Sequence, residues 1–398
     1  MLLLIYSLCY IYNMNVETPQ GSTSPERVAK PSLLRLAGYF AWLGTVGFGG
    51  PIALTERMQR DLVGVRRWFV QAEFLEGLAL AQLAPGPLAA QLAIYLGYLH
   101  SGVIGAAIIG LAFVVPSFLM VLGIAAAYVH YSGLPWVQAA FSGIGPAVIA
   151  VIANATIKLT VKVVGRDLLL WVILLALAAT TALLESEIVW LFLGAGVLTA
   201  IIRGKPRVRG MICYSPLFGA VNWPVLGQLP ALFLFFAEAS LFVFGSGLAI
   251  IPFLHASVVQ ERHWLTEQQF IDAVAVAMIT PGPVVITVAF IGYIVEGPVG
   301  ACVSAFGVFF PSFLVVVLLT PVYRRFAKAE IVRAFVAGVT AAATGAIAGA
   351  AIVLARQSIV DARTAIFALA ALVAVRLRAP ETLVVLAAGL VGLLLSPW

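Results

Sequence analysis

Two Pro-Gly-Pro triplets, Pro85-Gly86-Pro87 and Pro281-Gly282-Pro283, interrupt apolar stretches of the chain. Proline lacks the N–H that a helix needs and clashes with the preceding turn, so each triplet ends one helix and starts another. The second proline suits the first position of the new helix. The amides that follow, of Leu88, Ala89 and Ala90 and of Val284, Val285 and Ile286, are then left without helical acceptors and point toward the break. Free N–H groups at the positive end of a helix dipole bind anions. Two such ends brought together supply roughly one positive charge equivalent. A plain proline kink is the bland alternative, and recurrence of the triplet favours the site.

Neighbouring residues extend that chemistry. Gly47 to Pro51 (GFGGP, with Gly49, Gly50 and Pro51) and Gly245 to Gly247 (GSG) end apolar segments. There glycine allows either close backbone approach or tight helix packing, and both uses stay open. After the first cluster come Arg57, Arg60, Asp61, Arg66 and Arg67. The second half has no equally basic counterpart, which suits attraction of an anion at one face. For Arg66 and Arg67 the better reading is an orientation signal, whereas Arg57, Arg60 and Asp61 lie nearer the glycine turn and remain candidates for a direct role. Gln82, Gln91, Thr280 and Thr287 flank the breaks, where they can bond a ligand or a neighbouring helix.

Acids within apolar stretches are expensive and mark functional hypotheses. Glu238, in ALFLFFAEASLFVF, is the deepest carboxylate, and Glu76 and Asp272 stand at equivalent positions near the start of the broken helices. Desolvation disfavours the charged form of a carboxylate, so Glu238, Glu76, Asp272 or Asp61 can carry a proton. Helix capping is the leading alternative for Glu76 and Asp272. No metal or cofactor is expected. Cys9, Cys213 and Cys302 are isolated, His100, His130, His255 and His263 show no ligand spacing, and there is no GxxxxGK loop.

The elements that position these residues follow from composition and from a repeat. At 62% hydrophobic, 10% charged and mean hydropathy +1.07, the chain departs from soluble proteins, where charged residues run near about 25%. The charges fall in short clusters between long apolar runs, the pattern of loops and membrane helices. The net charge of +6 therefore reads as orientation of loops and not as affinity for nucleic acid. Phe48, Gly49, Trp68, Phe74 and Pro85 to Pro87 recur as Phe244, Gly245, Trp264, Phe270 and Pro281 to Pro283, an offset of 196. One deletion later, Gly97, Tyr98 and Pro116 to Phe118 recur as Gly292, Tyr293 and Pro311 to Phe313. Shared apolar composition cannot place Pro, Gly and Trp in register.

The expected fold is all-α: a polytopic membrane protein of about 12–14 segments in two inverted-repeat halves with Pro-Gly-Pro broken helices. Residues 1–32 form an amino-terminal tail, 33–202 the first half, 203–227 a basic linker and 228–398 the second half. Segments are expected near 33–50, 72–100, 103–129, 136–157, 168–184 and 187–202, and again near 228–250, 270–295, 298–320, 333–355, 362–375 and 382–396. The inversion comes from counting Lys and Arg in the loops, with the Pro-Gly-Pro segment returning to its own side.

Across FGGPIAL, QRDLV, RRW and FLEGLALAQLAPGPLAAQLAIYLGY, then FGSGLAIIPFL and AVAMITPGPVVITVAFIGY, the sequence resembles the chromate ion transporter family in its long, two-half form. The resemblance covers nearly all of residues 33–396. It implies export of chromate from the cytoplasm, driven by protons, in a bacterial inner membrane. Its motifs put functional weight on Gly49, Gly50, Pro51, Arg60, Asp61, Trp68, Pro85, Gly86 and Pro87, with Gly245, Gly247, Pro281, Gly282 and Pro283 in the second half. Thr55, Glu56 and Arg57 depart from the apolar or small residues expected there, and Glu238 stands where the family more often has a basic residue. The implied partners are chromate, with sulfate as the alternative, protons and the lipid bilayer; a homodimer is left open. Rival functions are a sulfate or other oxyanion carrier, working in uptake as well as export, a passive anion channel, and a chromate-reducing enzyme for which no cofactor motif is present.

Overall fold

A computed structural model describes residues 30–48, 50–131, 135–184, 189–203, 227–241, 243, 250–326, 330–359, 361–377 and 379–395. The tail before residue 30, most of the linker, and Gly49, Gly245 and Gly247 lie outside the described residues. All regular structure among those described is helical.

The first half opens with α1 (Leu33–Val46), capped by Ser32, whose Oγ accepts from the Arg35 amide at 3.3 Å. The chain then doubles back through α2 (Gly50–Met58) and a π-helix, π1 (Gln59–Val65). Tyr39 Oη donates to Asp61 at 3.4 Å and Arg57 donates to the Val46 carbonyl at 3.3 Å, which ties the returning limb to α1. α1 and α2 thus form a hairpin.

A second hairpin follows at the Pro-Gly-Pro triplet. α3 (Gln71–Leu83) and the first limb of α4 (Leu88–Tyr131) run back against each other, with Gly77 seated on the Tyr95 ring. Further on, α4 reverses at Ser101 and Gly102, whose backbone leaves the helical region. Gly97 touches Gly105 there, although eight residues of straight helix span about 12 Å. The reversal falls between the expected segments 72–100 and 103–129. α5 (Pro135–Val163), α6 (Leu168–Leu184) and α7 (Val189–Arg203) complete the half.

The second half repeats this order: α8 (Gln228–Leu241), α9 (Ile250–His255), π2 (Ala256–Glu261), α10 (Glu267–Ile279), a 3₁₀ turn (Val284–Ile286), α11 (Thr287–Phe326), α12 (Glu330–Ser358), α13 (Ala362–Arg376) and α14 (Glu381–Leu395). The equivalence extends to detail. α11 reverses at Glu296 and Gly297 with Gly292 against Gly300, and Arg67 and His263 after the π-helices both adopt positive φ, 52° and 51°.

The halves are interlocked. α12 of the second half packs mainly on α6 and α7 of the first, and α5 of the first mainly on α13 and α14 of the second. Small residues make these crossings close: Gly143 meets the Ala388 backbone, Gly338 the Ala195 backbone and Gly345 the Leu174 backbone. Reading the chain as two successive halves did not anticipate this exchange, because nothing in one half's pattern says which half its fifth helix packs against.

Among the described residues, four helices are long and apolar enough to cross a membrane, within 88–131, 139–161, 284–322 and 330–356, with shorter apolar helices beside them. Leu111, Leu119, Leu168, Leu175, Leu383 and Leu394 stand exposed on the outside, an arrangement that suits hydrocarbon and not water. The chain is an all-α polytopic membrane protein built as a two-half repeat.

Candidate functional site

The two Pro-Gly-Pro tips meet the opposite halves at the centre of the molecule. The Gly86 amide donates to the Val243 carbonyl at 2.7 Å, and the Gly282 amide donates to the Gly47 carbonyl at 2.8 Å. Val243 is the repeat equivalent of Gly47, so the two bonds are one contact made twice. Such reciprocity requires an approximate two-fold relation between the halves. Glycine is obligatory at both tips: φ is +134° at Gly86 and +103° at Gly282. A Cβ at Gly86 would strike Ser312 Oγ and the Gln91 amide, and one at Gly282 would strike Ser117.

Helical backbone behind the tips begins one residue later than expected, as α-helix at Leu88 and as the 3₁₀ turn at Val284. Pro283 lies outside the helix in extended conformation, φ −73° and ψ 124°, and α4 starts at Leu88. The prolines are therefore caps and not first helical residues. In the first half, Gln91 N to Pro87 O, 2.9 Å, is the first backbone bond of α4, so the amides of Leu88, Ala89 and Ala90 precede it as expected. In the second half the Ile286 amide already donates to Pro283 O at 2.9 Å. That 3₁₀ turn leaves two such amides, of Val284 and Val285, where three were expected.

Polar side chains line the junction. Gln91 is fully buried, donates to Pro85 O at 2.5 Å and leaves its Oε1 without a partner among the described residues. Ser312 lies 3.0 Å from Ser240, and both hydroxyls donate to Val308 O. Thr287 and Thr280 turn their hydroxyls to their own backbones. Gln82 is exposed, away from the tip.

The basic cluster forms beside the first hairpin. Arg57 lies over the Trp42 ring at 4.6 Å, and its buried Nε stands 4.0 Å from Asp61 Oδ2 without a hydrogen bond among the described residues. Its bond to Val46 O places it next to Gly47, the residue that holds the Gly282 tip. Arg60 contacts Asp61 at 3.4 Å with its side chain 69% exposed. Gly50, at φ 74°, opens α2 with Pro51 in its first turn.

The carboxylates separate into different settings. Asp61 is surrounded by Arg57, Arg60 and Tyr39. Glu238 is half-buried on α8, whose Phe235 ring carries Arg262 at 5.1 Å. Capping does not account for Glu76 or Asp272, because Glu73 accepts from the Val70 amide and Thr266 with Gln269 caps α10. Asp272 is 2% exposed and accepts from Tyr128 and Gln268.

Several partners were not singled out from sequence. Tyr128 and the hydroxyls of Ser117 and Ser312 recur at the 195-residue offset, with Tyr323 the equivalent of Tyr128. Recurrence was the available signal. His255 is buried and 2.7 Å from Glu267. Arg66 and Arg262, at equivalent positions, each stack on the tryptophan two residues later, at 4.8 and 5.1 Å. No group of three or more metal-ligating side chains occurs among the described residues.

Comparison with known proteins gives the family. A family model described as "Chromate transporter" matches residues 34–200 and again 230–393. A "Chromate transport protein" of Cupriavidus metallidurans is 51% identical over 96% of this chain and 99% of its own length. A "Probable chromate transport protein" of Synechococcus elongatus is 51% identical over 91% and 95%, and a "Chromate transport protein" of Pseudomonas aeruginosa is 31% identical over 95% and 97%. No solved structure matches the chain. Matched in both halves, and half-identical to such relatives along nearly the full length, this chain belongs to the chromate transporter family, a family of transport proteins and not of enzymes.

Proposed function

We propose that the protein exports chromate across the bacterial inner membrane in exchange for protons, by alternating access between two inverted halves. The observation that carries the reading is the reciprocal pair of bonds at the centre, Gly86 to Val243 and Gly282 to Gly47. Each bond closes one half's tip on the other half. Opening one while keeping its twin exposes the centre to one side only, which is what alternating access demands. Relatives named for chromate transport supply the substrate.

In this reading the dianion rests between the amides of Leu88 and Ala89 and those of Val284 and Val285, near Gly86, Pro87, Gly282 and Pro283. Two helix ends together offer about one positive charge equivalent, so a dianion remains half-compensated and is not held too tightly to leave. Ser117, Ser312 and Gln91 can turn donors inward. Arg57 and Arg60 recruit the anion at the cytoplasmic mouth, and the glycine motifs, Gly49, Gly50 and Pro51 with their sequence counterparts Gly245 and Gly247, contribute to anion binding. Proton linkage runs through one of Glu238, Glu76, Asp272 and Asp61.

Labelled chromate uptake into inside-out vesicles containing the protein, with and without an acid interior, tests this. Uptake that rises with the imposed gradient and resists excess sulfate is the expected result. Flux indifferent to the gradient refutes antiport and indicates a channel, and complete competition by sulfate indicates a general oxyanion carrier.

A further inference from the structure

Of the four carboxylates, Asp272 has surroundings the other three lack. It is buried, and each oxygen accepts one bond from a neutral donor: Oδ2 from Tyr128 Oη at 2.7 Å and Oδ1 from Gln268 Nε2 at 2.8 Å. No ion pair involves it among the described residues. Asp61 has two arginines, Glu238 shares its surroundings with Arg262 and Glu261, and Glu76 is only half-buried. A buried carboxylate balanced by neutral donors alone is the group most easily relieved by taking a proton.

The bond to Tyr128 also joins the halves. Tyr128 belongs to α4 of the first half and is held between Phe141 and Phe290, ring centres 5.6 and 5.2 Å away. Asp272 belongs to α10, which runs straight into the Pro281 tip. A hydrogen bond to an ionised group is roughly twice as strong as a neutral one, so loading a proton loosens this link between the halves beside a moving element. Among the described side chains, the charged groups on the elements around α10 are engaged elsewhere or stand apart: Lys158 of α5 pairs with Glu381 of α14 at 3.6 Å, Glu267 pairs with His255, Glu296 sits at the reversal of α11, and His130 is exposed at the end of α4.

We propose that Asp272 is the proton-binding residue of the transport cycle and that Tyr128 is its positioning residue, transmitting the protonation state between the halves. The inference rests on the antiport reading above. It is tested with the full-length chain in liposomes, measuring chromate exchange at equal pH, chromate movement driven by an imposed pH gradient, and the pH profile of exchange. Asp272→Asn is expected to keep exchange and lose gradient-driven movement, because an amide cannot take up and release the proton. Tyr128→Phe is expected to keep the drive but to move the midpoint of the pH profile upward, because the charged form loses a donor. A wild-type chain that ignores the gradient overturns both readings. A driven wild type with an equally driven Asp272→Asn overturns this assignment alone. Should Asp272→Asn fail to elute as a folded species, Tyr128→Phe decides, and an unmoved profile refutes the proposal.

Discussion

Replacing Gly86 with alanine adds one methyl group to a junction with no space for it. The backbone at φ +134° lies in a region open essentially to glycine alone, which costs about 1–3 kcal/mol for any other residue. The new Cβ would also overlap Ser312 Oγ and the Gln91 amide, and overpacking of that kind costs about 1–3 kcal/mol more. Together these come to roughly 2–6 kcal/mol against the closed junction, a shift of about 30-fold to 10⁴-fold in its population at 1.4 kcal/mol per decade. Gly86→Ala and Pro87→Ala should therefore insert in the membrane normally and abolish chromate export. The steric share belongs partly to Ser312, so Ser312→Gly should recover part of the lost thermal stability in Gly86→Ala while Ser117→Gly does not. Melting of the purified variants in detergent, together with vesicle transport, measures both effects. Wild-type melting and export in Gly86→Ala would refute the reasoning, and equal rescue by Ser117→Gly would remove the assigned pairing of tips.

Other expectations concern the surroundings of the site. Arg57→Ala should slow export strongly, because it removes a partly buried guanidinium that bonds Val46 O beside the Gly282 tip, whereas Arg60→Ala, whose side chain is 69% exposed, should slow it less and lose its effect at high salt, as a recruiting surface charge does; initial uptake rates in vesicles compare them. Asp167, in the loop before α6, caps that helix through the Leu169 and Leu170 amides and binds Arg203, whose hydrogen bond holds its carboxyl below the usual range. A lowered value means stability that is present above the unfolded value near about 3.9 and lost as the pH falls through the folded value, so Asp167→Ala should cost about 1 kcal/mol at neutral pH and progressively less below about pH 4, read from melting temperature against pH. Gly143→Leu, driven into the Ala388 backbone, should lower melting by the equivalent of about 1–3 kcal/mol through loss of the interlock, while the exposed Gly123→Leu, with nothing near it, should not.

Legibility in the sequence followed range of interaction. The breaks at Pro85 to Pro87 and Pro281 to Pro283 and the reversal between residues 100 and 103 are local, fixed by residues that cannot continue a helix, and the sequence locates them closely. The repeat was also legible, because Trp, Pro and Gly recur in register. For Asp272 and Glu76 the sequence favours capping over a proton site, and only the structure shows Thr266, Gln269 and Glu73 already in the capping role. Tyr128 lies 144 residues from Asp272 in the chain, Val243 lies 157 from Gly86 and Gly47 lies 235 from Gly282, and no periodicity reports on such pairs. The exchange of α5 and α12 between halves was invisible for the same reason: apolar pattern says that a helix is buried, not by what.

The symmetry of the backbone and the asymmetry of the side chains divide the work of transport on the proposed cycle. Two identical tip bonds, 2.7 and 2.8 Å, make the two ways of opening the centre similar in energy, and a carrier needs both states accessible within a few kcal/mol. Direction must then come from what differs between the halves. Arg57, Arg60 and Asp61 have Phe253, Ala256 and Ser257 as counterparts, Trp42 has Glu238, and Gln59 and Gln71 have the bonded pair His255 and Glu267. One mouth is therefore basic and the other carries the carboxylates and the histidine. Exchanging the two sets should leave the fold intact, since both occupy equivalent places on equivalent helices, and should weaken or reverse the preferred direction of chromate movement in oriented vesicles. A chain with exchanged mouths that still exports at the wild-type rate would show that direction is set elsewhere, with Asp272, buried where its counterpart Glu76 is half-buried, the group left to set it.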